Sequence, residues 1–130
     1  MSYLLDTHTF LWFVDDDPML PCRLRELIGR SRDVSIHVSV VSFWEMAIKS
    51  GKGKLDLPCP IDRMMVLCED ELKISILRIE GVHLEALRTL PQLHKDPFDR
   101  LLIAQAMTEA MTLISADDRV SLYPVQSIWT

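Results

Sequence analysis

The sequence predicts an α/β fold: a mainly parallel sheet with helices packed on both faces. Three observations carry that expectation. Short apolar segments alternate along the chain with segments of helical periodicity, the order expected of repeated βαβ units. The apolar segments, such as Tyr3-Leu4-Leu5 and Thr112-Leu-Ile-Ser115, are too apolar for a sheet that wets one face. The length of 130 residues falls below the roughly 150 of a common domain allotment, so residues 1–130 are expected to form one domain around one core.

Each element has a local reason. Tyr3 to Leu5 reads as a buried strand that stops at Asp6 and feeds a helix from Thr7 to Val14, closed by Asp15-Asp16-Asp17-Pro18. Pro21 to Arg30 carries Leu24, Leu27 and Ile28 at helical spacing. Val34 to Val38 alternates at period two, after which Ser39 or Ser42 can cap a helix that ends near Ser50 and Gly51. Lys49 to Lys54 interleaves glycine with three lysines and reads as a basic loop; Pro58 and Pro60 then lead into a helix over Asp62 to Asp70. Lys73 to Ile79 is a strand, Val82 to Leu90 a helix, and Pro97 opens a strongly periodic helix through Met107. Thr112 to Ser115 is a short buried strand, and Val125 to Trp129 a last one.

Composition narrows the function classes. Lys and Arg number 14 against 19 Asp and Glu, a formal charge of -5, which disfavours holding nucleic acid on a broad basic surface. Bound divalent cations can reverse the local sign of an acidic pocket, so a nucleic-acid enzyme stays open. No apolar run reaches the roughly 18 residues of a membrane span, and Met1-Ser-Tyr-Leu-Leu-Asp6 lacks the basic start of a secretory signal. Cys22, Cys59 and Cys68 are odd in number and widely spaced, which supports neither a disulfide framework nor a thiolate metal site; a reduced, cytoplasmic setting is expected. His8, His37, His83 and His94 lack the spacing of a helical zinc pair.

In a parallel α/β sheet, ligands bind beyond the carboxyl ends of the strands. Four acids from distant parts of the chain are expected there: Asp6 after the first strand, Glu45 in the early turns of the helix that follows His37, Asp99 in the first turn opened by Pro97, and Asp117 beyond the Thr112 strand. Each has a bland alternative. Asp6 and Asp117 can be N-caps, Ser42-Phe-Trp-Glu45 fits a capping box, and Asp96-Pro97-Phe98-Asp99 fits a capped helix start. Together, however, four converging carboxylates repel one another and call for a compensating cation. Hard divalent cations with oxygen ligands, magnesium among them, suit that set and suit water attack on a phosphodiester. One ion or two is left open.

The residues resemble a known family at this point. Leu4-Leu5-Asp6-Thr7-His8, Ser39 to Lys49 with Glu45 inside it, His94-Lys-Asp-Pro-Phe-Asp99-Arg and Leu113-Ile-Ser-Ala-Asp117 look like the successive motifs of PIN-domain ribonucleases, and more narrowly of VapC-type toxins of toxin–antitoxin pairs. The resemblance implies a PIN-like three-layer α/β/α sandwich, Mg2+- or Mn2+-dependent endoribonuclease activity, a homodimer, and inhibition by a cognate antitoxin through which alone DNA would be contacted. It implies Asp6, Glu45, Asp99 and Asp117 as catalytic, metal-binding acids. Asp118 competes for the fourth place, and Ser115 stands where the family often has threonine.

Supporting roles follow with their alternatives. Thr7, Ser39, Asp96 and Ser115 can back the carboxylates by hydrogen bonds, although hydroxyls and Asp96 also suit helix caps. Lys49, Lys52, Lys54, Arg100 and Arg119 can contact RNA phosphates or simply be solvated. Trp12 and Trp44 fit core or dimer packing better than base stacking; Phe10, Phe13 and Met46 default to the core over a dimer surface; His94 can approach the site, although an exposed loop histidine needs no such role. Two other readings compete: a PIN-like binding module without catalysis, and a receiver-like phosphoacceptor domain. The second leaves Glu45 unexplained, and its phosphatase variant wants an aspartate where His8 stands.

Overall fold

The computed structural model describes residues 1–130. Its element order is β1 (Ser2–Leu5), α1 (Thr7–Val14), α2 (Cys22–Gly29), β2 (Ser35–Ser39), α3 (Val40–Gly51), α4 (Ile61–Val66), β3 (Ser75–Leu77), α5 (Gly81–Thr89), α6 (Pro97–Glu109), β4 (Thr112–Ile114) and β5 (Ser127–Ile128). The helix expected over Asp62 to Asp70 divides: α4 ends at Val66 and a π-helical turn, Leu67–Glu71, continues it. A 3-10 turn, Asp118–Leu122, precedes β5.

All five strands are parallel, in the order β3-β2-β1-β4-β5. Successive side chains of a strand point to opposite faces, and the core divides accordingly. Leu5 and Ile114 belong to a cluster with Phe10, Leu24, Ile28 and Met46 from α1 to α3, whereas their neighbours Leu4 and Leu113 belong to a cluster with Leu101, Leu102 and Tyr123 on the other face. The sheet is therefore the middle of three layers, as expected. Phe10 and Met46 are fully buried in the first cluster, so neither offers a dimer surface.

The order has its switch point between β1 and β4, where the chain, having built β1 to β3 outward on one side, returns to build the other. Flavodoxin-like receiver folds have the order 2-1-3-4-5; this sheet does not. Strand β1 ends because Asp6 caps α1, its Oδ1 accepting from the Thr9 backbone N–H at 2.9 Å. Of the two candidate caps for α3, Ser39 is the one used, its hydroxyl accepting from Val41 N at 3.0 Å. On the far side, α5 is tied to α6 by buried His83, whose Nδ1 accepts from Glu80 N at 2.9 Å and whose Nε2 lies 2.7 Å from Glu109 Oε2.

Candidate functional site

A cleft of about 670 Å³ opens at the carboxyl ends of β1 and β4. Six carboxylates line it, from Asp6, Glu45, Asp96, Asp99, Asp117 and Asp118, against two permanent cations, Lys49 and Arg119. The four acids expected to converge do so, and each is held by its own local geometry.

Asp6 carries its cap bond and a second bond on the same oxygen, Oδ1, from the Thr9 hydroxyl at 2.6 Å. The Asp6 N–H donates to Ile114 O at 3.1 Å, which fixes the end of β1 to β4 at the switch point. Glu45 forms no capping box with Ser42. It is buried, accepts from the Thr7 hydroxyl at 2.6 Å on Oε1, and pairs through Oε2 with the Lys49 ammonium one helical turn on. Asp96 caps α6 as expected, accepting from Phe98 N at 2.8 Å and Asp99 N at 3.2 Å, and it also lines the cleft. Asp117 receives four donors: Arg119 N at 2.9 Å and Nε at 3.1 Å on Oδ1, and Arg119 Nη2 at 3.1 Å and His94 Nε2 at 2.8 Å on Oδ2.

His94, which the sequence allows to approach the site, does so, and its burial is what the sequence does not show. It is not exposed but 1% accessible, and its Nε2 also lies 3.2 Å from Asp99 Oδ2. Its Nδ1 accepts from the Asp96 backbone N–H at 3.1 Å, so the neutral ring carries its proton on Nε2, facing Asp99 and Asp117. Tyr123 holds this loop down from 29 residues away, its phenol oxygen accepting from Leu93 N at 2.9 Å and His94 N at 2.8 Å and donating to Pro91 O at 2.7 Å. The segment from Leu90 to Asp96 has no periodicity to announce burial; the one signal available was its adjacency to Asp96 and Asp99.

The electrostatics divide the site. Burial pushes the Asp99 carboxyl up to about 7, helped by the like charges of Asp96, Glu45 and Asp6. Burial also raises Asp6, against the opposing Ser115 and Thr9 donors. At Asp117 desolvation again acts upward, but the Arg119 and His94 donors outweigh it and lower the group to about 2. For Lys49, burial opposes the charge, yet the bond to Glu45 and the fields of Glu45, Asp96 and Asp99 raise its pKa overall.

The remaining candidates scatter. Ser115 accepts from Asp117 N at 3.1 Å, and Thr7 backs Glu45, so both support carboxylates. Ser39 is spent on its cap. Lys52 and Lys54 are exposed beyond the cleft lining. Arg100 also lies outside that lining: its Nη2 donates to Leu90 O at 2.9 Å, a tie inside the fold. Trp44 is 52% exposed and meets Phe98 edge to face, with ring centroids 4.9 Å apart. Trp12 is half-buried and lines the cleft.

Hard oxygen donors dominate, and the like-charge repulsion on Asp99 is what a divalent cation would relieve, so the donor set fits such an ion. His94, Asp99 and Asp117 present atoms that all lie within 4.8 Å of one another. With its Nε2 protonated, His94 is suited to donate to the carboxylates rather than to ligate, the common role of a group that orients metal ligands.

The PIN domain family matches residues 3–125. No curated protein sequence matches the chain. Among solved structures, VapBC2 from Rickettsia felis, crystallised with a DNA fragment from its promoter, is similar with a TM-score of 0.74 and 15% identity over 98% of both chains. FitAcB from Neisseria gonorrhoeae superposes with a TM-score of 0.66 and 15% identity over 97% of this chain and 96% of that one. VapBC-1 from nontypeable Haemophilus influenzae does so with a TM-score of 0.62 and 16% identity over 98% and 97%.

Proposed function

The chain belongs to the PIN domain family, and on that footing we propose that it is a divalent-metal-dependent endoribonuclease, the toxin of a toxin–antitoxin pair. The observation that carries the reading is the charge imbalance of the cleft, six carboxylates on separate elements against two permanent cations. A structural cap needs no such gathering, and a site that binds phosphate by its own residues would be basic.

Asp6, Glu45, Asp99 and Asp117 would hold Mg2+ or Mn2+. When bound, the ion supplies charge neutralisation at a phosphodiester and a lowered pKa for attacking water. The chain's own residues do the rest. His94 keeps Asp99 and Asp117 facing the same space, Thr7 and Lys49 fix the two oxygens of Glu45, and Thr9 fixes Asp6. Arg119, 60% exposed, can leave Asp117 for a phosphate oxygen. Retention of these acids with their supports favours catalysis over the reading as an inert binding module.

The partners follow from the same surfaces. The uncompensated acids suit Arg or Lys from an antitoxin, which would exclude metal and substrate together. DNA would be reached only through that antitoxin. Trp44 and Ile48, one helical turn apart and both exposed, give with Phe98 an apolar patch suited to a homodimer. Three free cysteines fit the reducing cytoplasm. The test is cleavage of a mixed single-stranded RNA pool by the purified chain with Mn2+ or Mg2+. Cleavage is expected with either ion and none in chelator; cleavage that persists in chelator refutes the metal role.

A further inference from the structure

Trp12 reads from sequence as packing, yet its ring is one of the few apolar surfaces in the acidic cleft. His8 precedes it by four residues on α1, so the two share a helix face; their ring centroids are 5.7 Å apart, and both line the cleft beside Asp6. On its other side Trp12 meets Trp129, again with centroids 5.7 Å apart. Trp129 lines a second, smaller depression that shares Ala116, Asp117 and Asp118 with the cleft, so the two hollows adjoin at that loop, with Trp12 in one and Trp129 in the other. Exposed Ser121 and Ser127 line the smaller depression.

A strand whose phosphate sits over the carboxylates has room for its adjacent nucleotide in the adjoining hollow. An aromatic row beside hydroxyls suits that nucleotide: a base stacks on the ring faces whatever its sequence, and the serines suit a ribose. Resting on the ribonuclease reading of the cleft, we infer that His8, Trp12 and Trp129 form a stacking platform for a nucleobase next to the scissile phosphate. The same rings help cover the core, since Trp12 and Trp129 pack against the cluster of Phe10 and Leu24. Their open part is what the base uses.

The experiment pairs protein and substrate changes. Oligoribonucleotides of one length and charge, intact or carrying abasic positions, are titrated into the full chain in Ca2+, with tryptophan fluorescence as the readout and the RNA checked by gel for intactness. Cleavage in Mg2+ is followed in parallel. Intact RNA should quench the fluorescence and bind about tenfold tighter than abasic RNA, within the range of a stacked base. Trp12→Leu keeps an apolar side chain over the core and should erase that difference by raising KM with little change in kcat. His8→Ala, at an exposed position, should erase part of it. If both variants fold and still discriminate intact from abasic RNA as the wild type does, the platform is refuted. Loss of binding to an arginine-bearing peptide, with RNA affinity unchanged, refutes it in favour of protein docking. Ring-dependent quenching without any metal-dependent cleavage supports the platform and sinks the nuclease reading; the absence of both sinks both.

Discussion

Two buried histidines in this chain make almost the same bonds and serve different ends. At His83 the Nδ1 accepts a backbone N–H from Glu80 and the Nε2 meets Glu109; at His94 the Nδ1 accepts from Asp96 and the Nε2 meets Asp117 and Asp99. Both rings are excluded from solvent. What differs is the carboxylate. Glu109 stands apart from the cleft on the last turn of α6 and closes a tie between two helices, whereas the acids at His94 belong to a like-charged group with an elevated Asp99. Identical local chemistry is a clip in one place and a positioning device in the other, so function is read from what a hydrogen bond orients.

The largest effects should come from the buried acids of the cleft. Asp99→Asn or Asp6→Asn is expected to cut metal-dependent RNA cleavage by more than about 100-fold, beyond the cost of losing a ligand's supporting partner. Asp99→Asn should also raise the melting temperature of the metal-free chain, because it removes a charge the fold resists. An unaltered cleavage rate in both variants would mean the site is misplaced.

Next, the histidines can be separated directly. His94→Ala should weaken Mn2+ binding by roughly 10- to 100-fold, measured by calorimetry, with His94→Gln recovering part through its own N–H donor. His83→Ala should leave Mn2+ affinity unchanged while costing about 2 kcal/mol in chemical denaturation, the cost of breaking a buried polar tie. Equal losses of metal affinity in both would erase the distinction.

A pH series gives a third, smaller effect with opposite signs at the two carboxylates. Asp99 titrates near 7 in the fold and at the ordinary 3.8 when unfolded, so the metal-free fold binds more protons between those values and its stability falls as pH rises through that window. Asp117, lowered to about 2, contributes stability that is present above its unfolded value of 3.8 and is lost only as pH falls toward 2. Mn2+ affinity should therefore strengthen from pH 6 to pH 8, and a flat profile would contradict the assignment of Asp99. Smallest of all, Arg119→Gln should reduce the log–log salt slope of RNA binding by about 0.7, one phosphate contact, while Arg100→Gln should not.

The parts of the fold and site that were legible share one property: their signals are local. Leu4-Leu5 stopping at Asp6, and Asp96-Pro97 opening a periodic helix with Asp99 in its first turn, state an element and its boundary within a few residues. Topology then brings such ends together, which is why the sequence alone groups Asp6, Glu45, Asp99 and Asp117. His94 and Arg100 could not be placed, because their surroundings are made by distant residues: Tyr123 buries the one, and the Leu90 carbonyl, ten positions back, claims the other. The divided helix after Val66 has a similar origin, since Cys68 O accepts from Ile74 N and Leu67 O from Leu72 N, bonds that no periodicity displays.

The hydroxyl of Tyr123 has a consequence in time. Asp6 is synthesised well before Asp117 and Tyr123, 111 positions separating the two acids. At translation rates of about 5 to 20 residues per second, roughly 6 to 20 seconds pass between them. Until Tyr123 has left the ribosome and tied down Pro91 to His94, neither the imidazole nor the fourth acid is in place. A nascent chain lacking that stretch would carry Asp6, Glu45 and Asp99 without the device that aligns them, so the cleft is assembled only after residues 111 positions apart have both been made.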